Sequence, residues 1–236
     1  MENLYPLQQA GSMEAKRMID LEKQNELLSL IGEEIKEKIN CYIVGGSAML
    51  YHGVKEATKD IDIVFDDKKS KEIFEKVLRK LGFKERDIRV IYFKKKNPPL
   101  LLERGEERID IFIKKVVTFE ITENIKKRVG KVYEYGNLIV KVVSPEDIIL
   151  FKCATERAGD RIDAINILKK FNINWNIIIE EAINQTKLES YLFPVFLYDF
   201  LEELKEDFKA DIPREVLKKL REISEEMLEK KLKKKS

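Results

Sequence analysis

Two cysteines, one histidine and five methionines in 236 residues leave several chemistries short of ligands. Cys41 and Cys153 lie far apart, at no spacing used for a zinc site or a small disulfide framework, so both are expected as reduced thiols. The lone histidine, His52, cannot supply the imidazoles that a metal-dependent phosphohydrolase usually needs, and it reads as a helix-surface or supporting residue. No apolar run approaches the length needed to cross a bilayer. The N-terminus shows no charged-then-apolar signal pattern, so the expected location is the cytoplasm, with no membrane partner. Net charge is nearly absent: 45 Lys+Arg against 43 Asp+Glu leaves +2, so no global field would draw a polynucleotide. Local basic clusters would have to do that.

The chain is 44% hydrophobic and 37% charged, enough for one sizeable core, and one catalytic domain with a helical extension is expected. Its wealth of Lys, Glu and Ile resembles thermophile usage. Residues 1–12, MENLYPLQQAGS, resemble a protease-site tag with a Gly-Ser scar and are set aside. The expected catalytic domain is then 13–143 and the helical region 144–236. Residues 14–39 carry Leu28, Ile31, Ile35 and Ile39 at helical spacing.

The chain is organised around residues 42–65, YIVGGSAMLYHGVKEATKDIDIVF. An apolar strand stops at Gly45-Gly46-Ser47, a short helical pattern follows, and a second strand is interrupted only by Asp60 and Asp62. Alternate strand residues share a face, so the two carboxylates project together while Ile61 and Ile63 point into the core. Side-by-side carboxylates repel unless a cation lies between them. Gly45 and Gly46 lack a Cβ and let backbone N–H groups approach a phosphate, and Ser47 adds a hydroxyl. A third acid stands in RIDIFI, where Asp110 is the only charge in residues 109–113.

This spacing resembles the signature of the DNA polymerase beta-like nucleotidyltransferases. The resemblance implies an α/β (α+β) fold, a mixed sheet of about five strands with flanking helices followed by a helical C-terminal region. It implies that Asp60, Asp62 and Asp110 are catalytic and bind two divalent ions, magnesium or manganese, and that Gly45, Gly46 and Ser47 hold the triphosphate of an NTP substrate. The segment SPEDIILFKCATERAGDRIDA is similar to a second motif of the prokaryotic abortive-infection (type IV toxin) subgroup, which places Lys152, Arg157 and Asp160 near the nucleotide. There Gly159 stands where a basic residue often precedes the acid. The implied activity is transfer of a nucleoside monophosphate to a hydroxyl of RNA, such as tRNA, or of a protein. A toxin with an antitoxin partner is one form of it, and a nucleotide-binding pseudoenzyme or interaction module is the alternative.

Elsewhere, residues 69–81 read as an amphipathic helix closed by Gly82, and residues 88–93 as a strand running into a lysine-rich turn at Lys94, Lys95 and Lys96. Gly136-Asn137 marks a hairpin between 132–135 and 138–143. Ser144-Pro145-Glu146-Asp147 is a helix start, with that helix expected to reach about 157 and Ala158-Gly159 to break it before a second at 160–171, its Ile162, Ile165, Ile167 and Leu168 largely inward. Residues 191–208 are apolar enough for a small helical core, and Pro213 opens a last helix whose lysine-rich end is expected to be solvated and disordered.

Overall fold

A computed structural model describes residues 18–86, 97–155, 157–189 and 191–233. The chain opens with β1 (Ile19–Asp20) and α1 (Leu21–Glu34), then β2 (Ile39–Ile43), α2 (Gly45–Tyr51), β3 (Ala57–Thr58) and β4 (Ile61–Phe65). α3 (Lys68–Lys80) leads to β5 (Lys84–Glu85), β6 (Leu100–Arg104), β7 (Glu107–Ile113), β8 (Lys115–Val116) and β9 (Phe119–Glu120). α4 (Glu123–Lys127) precedes the hairpin β10 (Lys131–Tyr135) and β11 (Leu138–Val142). The remainder is helical: α5 (Pro145–Lys152), α6 (Ala158–Lys170), α7 (Trp175–Leu188), α8 (Phe193–Glu206) and α9 (Arg214–Lys233).

The main sheet is mixed, in the order β10-β11-β2-β4-β7-β6-β5, with β8 and β9 attached beyond β7, while β1 and β3 form a separate ribbon. The α/β class is as expected. Among the described residues the main sheet has nine strands rather than about five. The additions β5, β8 and β9 have two residues each, too short to carry a hydrophobic period of their own. At its centre β4 runs parallel to β7 and antiparallel to β2. Ile43, Ile61, Ile63, Val64 and Phe65 are fully buried there.

Helix α1 starts where the Asp20 carboxylate accepts from the Lys23 N–H at 2.9 Å. It buries Leu28 and Ile31 but ends at Glu34, because Ile35 is already extended and Ile39 opens β2. The apolar spacing crosses the boundary between helix and strand, and residues 14–17 lie outside the described ones. What stops the helix is the β10–β11 turn. Asn137 donates its backbone N–H to the Gly32 carbonyl at 3.2 Å and its side-chain amide to the Ile35 carbonyl at 2.8 Å. A Cβ on Gly32 would stand 1.8 Å from the Tyr135 carbonyl oxygen, so only glycine lets helix and hairpin touch.

Helix α3 follows its pattern, with the Asp67 carboxylate accepting from the Ser70 N–H at 2.8 Å and Phe74, Val77 and Leu78 inward. The candidate strand at 88–93 and Lys94, Lys95 and Lys96 lie outside the described residues. Ser144 caps α5 by accepting from the Asp147 N–H at 3.2 Å, with Pro145 in the first turn. That helix stops at Lys152, not near 157. Thr155 and Arg161 satisfy the carbonyls at this break: the Thr155 hydroxyl donates to Lys152 O at 3.1 Å and Arg161 Nη1 to Thr155 O at 2.6 Å. Gly159 therefore sits inside α6 instead of breaking the chain. Ile167 is buried as expected, but Ile162 is 56% exposed.

Phe193, Leu197, Phe200, Leu201 and Leu204 close the core between α7, α8 and α9, with Phe196 at its surface. The basic end of the chain is not loose through residue 233: Lys230 and Lys233 lie in the last turn of α9, paired with Glu226 at 3.5 Å and Glu229 at 3.7 Å. His52 is buried rather than on the surface, and its Nε2 shares a 2.8 Å hydrogen bond with Val143 O. Cys41 and Cys153 are free and buried, which pushes both thiols well above their usual range. Among the described residues no helix is long and apolar enough to cross a membrane.

Candidate active site

A cavity of about 720 Å³ opens where β4 and the start of α2 face α5 and α6. Gly45, Gly46, Asp60 and Asp62 line one side of it, and Lys152, Arg157, Asp160 and Asp163 the other. Phe112, Val117, Phe119, Ile148 and Phe151 make an apolar wall between them. Two sequence motifs roughly 100 residues apart thus meet across one space, as the packing of α2 on α5 requires.

The acids are positioned by strand register. Asp62 on β4 stands directly opposite Asp110 on the parallel β7, flanked by the buried pairs Ile61 with Ile109 and Ile63 with Ile111. Neighbouring strands lie about 4.8 Å apart, so the two carboxylates are held side by side. Burial, then the negative charges of Asp60 and Asp110, push the Asp62 carboxyl well above the usual carboxylate range. Asp110 is also raised, chiefly by burial. Asp110 is only 2% exposed and lies behind the cavity lining. Its oxygens are occupied from one side: Arg108 Nε donates to Oδ1 at 2.9 Å and Nη2 to Oδ2 at 2.8 Å, with Nη2 3.7 Å from an Asp60 oxygen.

Gly45 has φ +59°, and a Cβ there would lie 2.6 Å from Asp62 Oδ2, so the turn needs glycine both for its backbone and for the acid beneath it. At Gly46 a Cβ would meet Thr58 Oγ1 at 2.5 Å. Ser47 is fully buried, and its hydroxyl donates to the Asp60 carbonyl at 2.9 Å. It anchors the strand entrance that carries the acids, and does not line the cavity.

On the opposite side Lys152 is buried between two carboxylates, 2.7 Å from Asp160 and 2.7 Å from Asp163. Lys55 reaches Asp163 from across the cavity at 2.9 Å. Burial would raise Asp160, but Lys152, the Thr155 hydroxyl and Arg157 outweigh it and hold its carboxyl below the usual range. Asp160 is therefore part of a charge network inside the first turn of α6, not the cap of that helix; the cap position is Arg157.

Sequence reasoning missed Lys55, Thr58, Lys59 and Arg108. Arg108 was within reach, because it lies two residues before Asp110 and so shares its strand face. Nothing in the local pattern marks Lys55, which arrives on a loop between α2 and β3.

Asp60 and Asp62, the latter paired with Asp110 on the adjacent strand, thus share the cavity with a Cβ-free turn and a wall of ion-paired side chains. The chain belongs to the family described as nucleotidyltransferase of unknown function (DUF6036), whose family model matches residues 16–209. Two solved structures are similar to it. One is an antigenic nucleotidyltransferase-like protein from Paracoccidioides brasiliensis, at 16% identity over 85% of this chain and 99% of that one, TM-score 0.48. The other is ANT(2")-Ia in complex with adenylyl-2"-tobramycin, at 19% identity over 76% of this chain and 98% of that one, TM-score 0.39. No curated protein sequence matches the chain.

Proposed function

We propose that the protein transfers a nucleoside monophosphate from an NTP to a hydroxyl acceptor. The acceptor oxygen forms a bond to the α-phosphorus, the bond to the β-phosphate oxygen breaks, and pyrophosphate leaves. The observation that carries this reading is the register of Asp62 beside Asp110, with Asp60 one step away and Gly45 and Gly46 facing the same cavity. The glycine backbone leaves room for phosphate oxygens, with Lys55 beside Gly46 and Lys152 and Arg157 on the other side of the cavity as the nearby positive charges. The acceptor proton passes to the cavity-facing acids, where burial makes the Asp62 carboxylate a stronger proton acceptor than a solvated one.

The donor set fits a divalent ion at Asp60 and Asp62, since both face the cavity and the Asp62 carboxyl is raised by burial and then by the negative charges of Asp60 and Asp110. Magnesium is commonly held by one or two carboxylates plus substrate phosphates. Among the described residues no group of three or more His, Cys, Asp or Glu is arranged to hold a metal, so phosphate and water would complete the shell. When bound, magnesium or manganese neutralises the triphosphate and its leaving group.

An RNA such as tRNA and a protein are both acceptors of this chemistry, and a toxin held by an antitoxin is one setting for it. Incubation with each labelled NTP, magnesium and either total RNA or cell lysate should move label into one macromolecular fraction, and Asp62→Asn should abolish it. Triphosphate binding with no transfer to any acceptor would make the chain a binding module instead. In the toxin setting, expression of the wild-type protein should arrest growth and Asp62→Asn should not.

A further inference from the structure

The third acid is already neutralised by the chain itself. Arg108 and Asp110 project from the same face of β7, and the guanidinium fork takes both oxygens of a carboxylate that is almost fully buried. The same Nη2 stands 3.7 Å from Asp60, so one side-chain cation spans the two acids. A bidentate Arg–carboxylate pair at low exposure is a strong, oriented interaction, and the space a metal would need beside Asp110 holds nitrogen instead.

We propose that Arg108 is an internal counter-ion in the place where a second metal would sit. The site then takes one divalent ion, on Asp60 and Asp62, and Asp110 is closed to another. Arg108 acts here as a positioning residue: it holds Asp110 beside Asp62 and sets the metal count. This rests on Asp60 and Asp62 as the metal pair, but its test needs no transfer reaction.

Manganese binding to the full chain, counted by electron paramagnetic resonance without nucleotide, reads it directly. The wild type should bind one ion per chain. Arg108→Gln should bind a second, because the guanidinium that takes both Asp110 oxygens has gone. The gain should vanish in the Arg108→Gln, Asp110→Asn double variant, since the added ion needs Asp110. Arg108→Lys keeps the charge without the fork and should fall between, which keeps the test open if Arg108→Gln does not fold. An unchanged count in Arg108→Gln and Arg108→Lys would overturn the proposal. So would a gain that survives Asp110→Asn, because Arg108 would then act only through the general field. Two ions on the wild-type chain would overturn it while leaving nucleotidyl transfer intact. No ion on either the wild type or Asp110→Asn would instead remove the metal pair on which it rests.

Discussion

Asp62 concentrates the physics of the site in one side chain. Its folded carboxyl is raised above the unfolded value of about 3.9, so the fold favours its protonated form. That stabilisation is full at pH below about 4 and is lost as pH rises through the raised folded value. Without metal, wild-type melting temperature should therefore lose ground to Asp62→Asn as pH climbs to neutrality. The variant should melt no lower than wild type at pH 7, while losing transfer and metal-induced stabilisation. Scanning calorimetry from pH 4 to 8 checks this, and a variant that melts lower throughout would show that Asp62 has a structural partner the repulsion argument ignores. Beside it, Gly45→Ala forces a left-handed backbone and places a methyl 2.6 Å from Asp62 Oδ2. About 1–2 kcal/mol should be lost from the backbone alone, read by urea unfolding. Gly46→Val meets Thr58 Oγ1 and fills space at the cavity, so triphosphate affinity should fall steeply by titration calorimetry. An unchanged affinity would take Gly46 out of the site.

At the scale of elements, α5 and α6 are joined by charge as much as by apolar packing. Lys152 lies between Asp160 and Asp163, with Lys55 donating to both oxygens of Asp163. Removing one member of a buried ion network leaves the others uncompensated, which costs on the order of 3 kcal/mol. Lys152→Met should therefore unfold at markedly lower urea as well as binding nucleotide poorly. Arg157→Gln, at the mouth of α6, should weaken nucleotide binding with little change in unfolding midpoint. The two variants together separate holding the helices from holding the ligand. A second such joint ties α4 to α5 and α7: Arg128 on the end of α4 pairs with Asp147 of α5 and, at 3.0 Å, with Glu181 of α7. The acid of the Ser144 helix start thus does more than favour the first turn.

For the whole molecule, a net charge of +2 leaves the capture of an acceptor to local basic clusters. If the acceptor is RNA, replacing Lys94, Lys95 and Lys96 by Ser should flatten the fall of log affinity with log salt by about 0.7–0.9 for each phosphate that is no longer neutralised. Trimming the basic end should matter less, because Lys230 and Lys233 already face Glu226 and Glu229 along α9. Filter binding of tRNA at several salt concentrations measures both. No binding by the wild type at low salt would leave protein or small-molecule hydroxyls as acceptors.

Much of this was legible in the residues, and the division follows from the range of the forces. Local chemistry was readable: the alternation of Asp60, Ile61, Asp62 and Ile63, the Ser144-Pro145 helix start, the Gly136-Asn137 hairpin and the stripe of α3 each depend on neighbours a few positions away, and each is present. The two-residue strands and the true ends of α1 and α5 were not, because they are set by partners such as Asn137 and Arg161 that meet them only after folding. The same holds for His52, whose burial against Val143 no local period announces. From sequence alone came the chemical types at the site and the pairing of Asp60 with Asp62. Only the tertiary structure decided that Asp110 lies in register with Asp62, that Arg108 claims its oxygens and that Lys55 and Lys152 share Asp163. Register between β4 and β7, and the closing of α5 and α6 over α2, are long-range choices made by burying the aliphatic pairs around them; the charges were carried to their places by that packing.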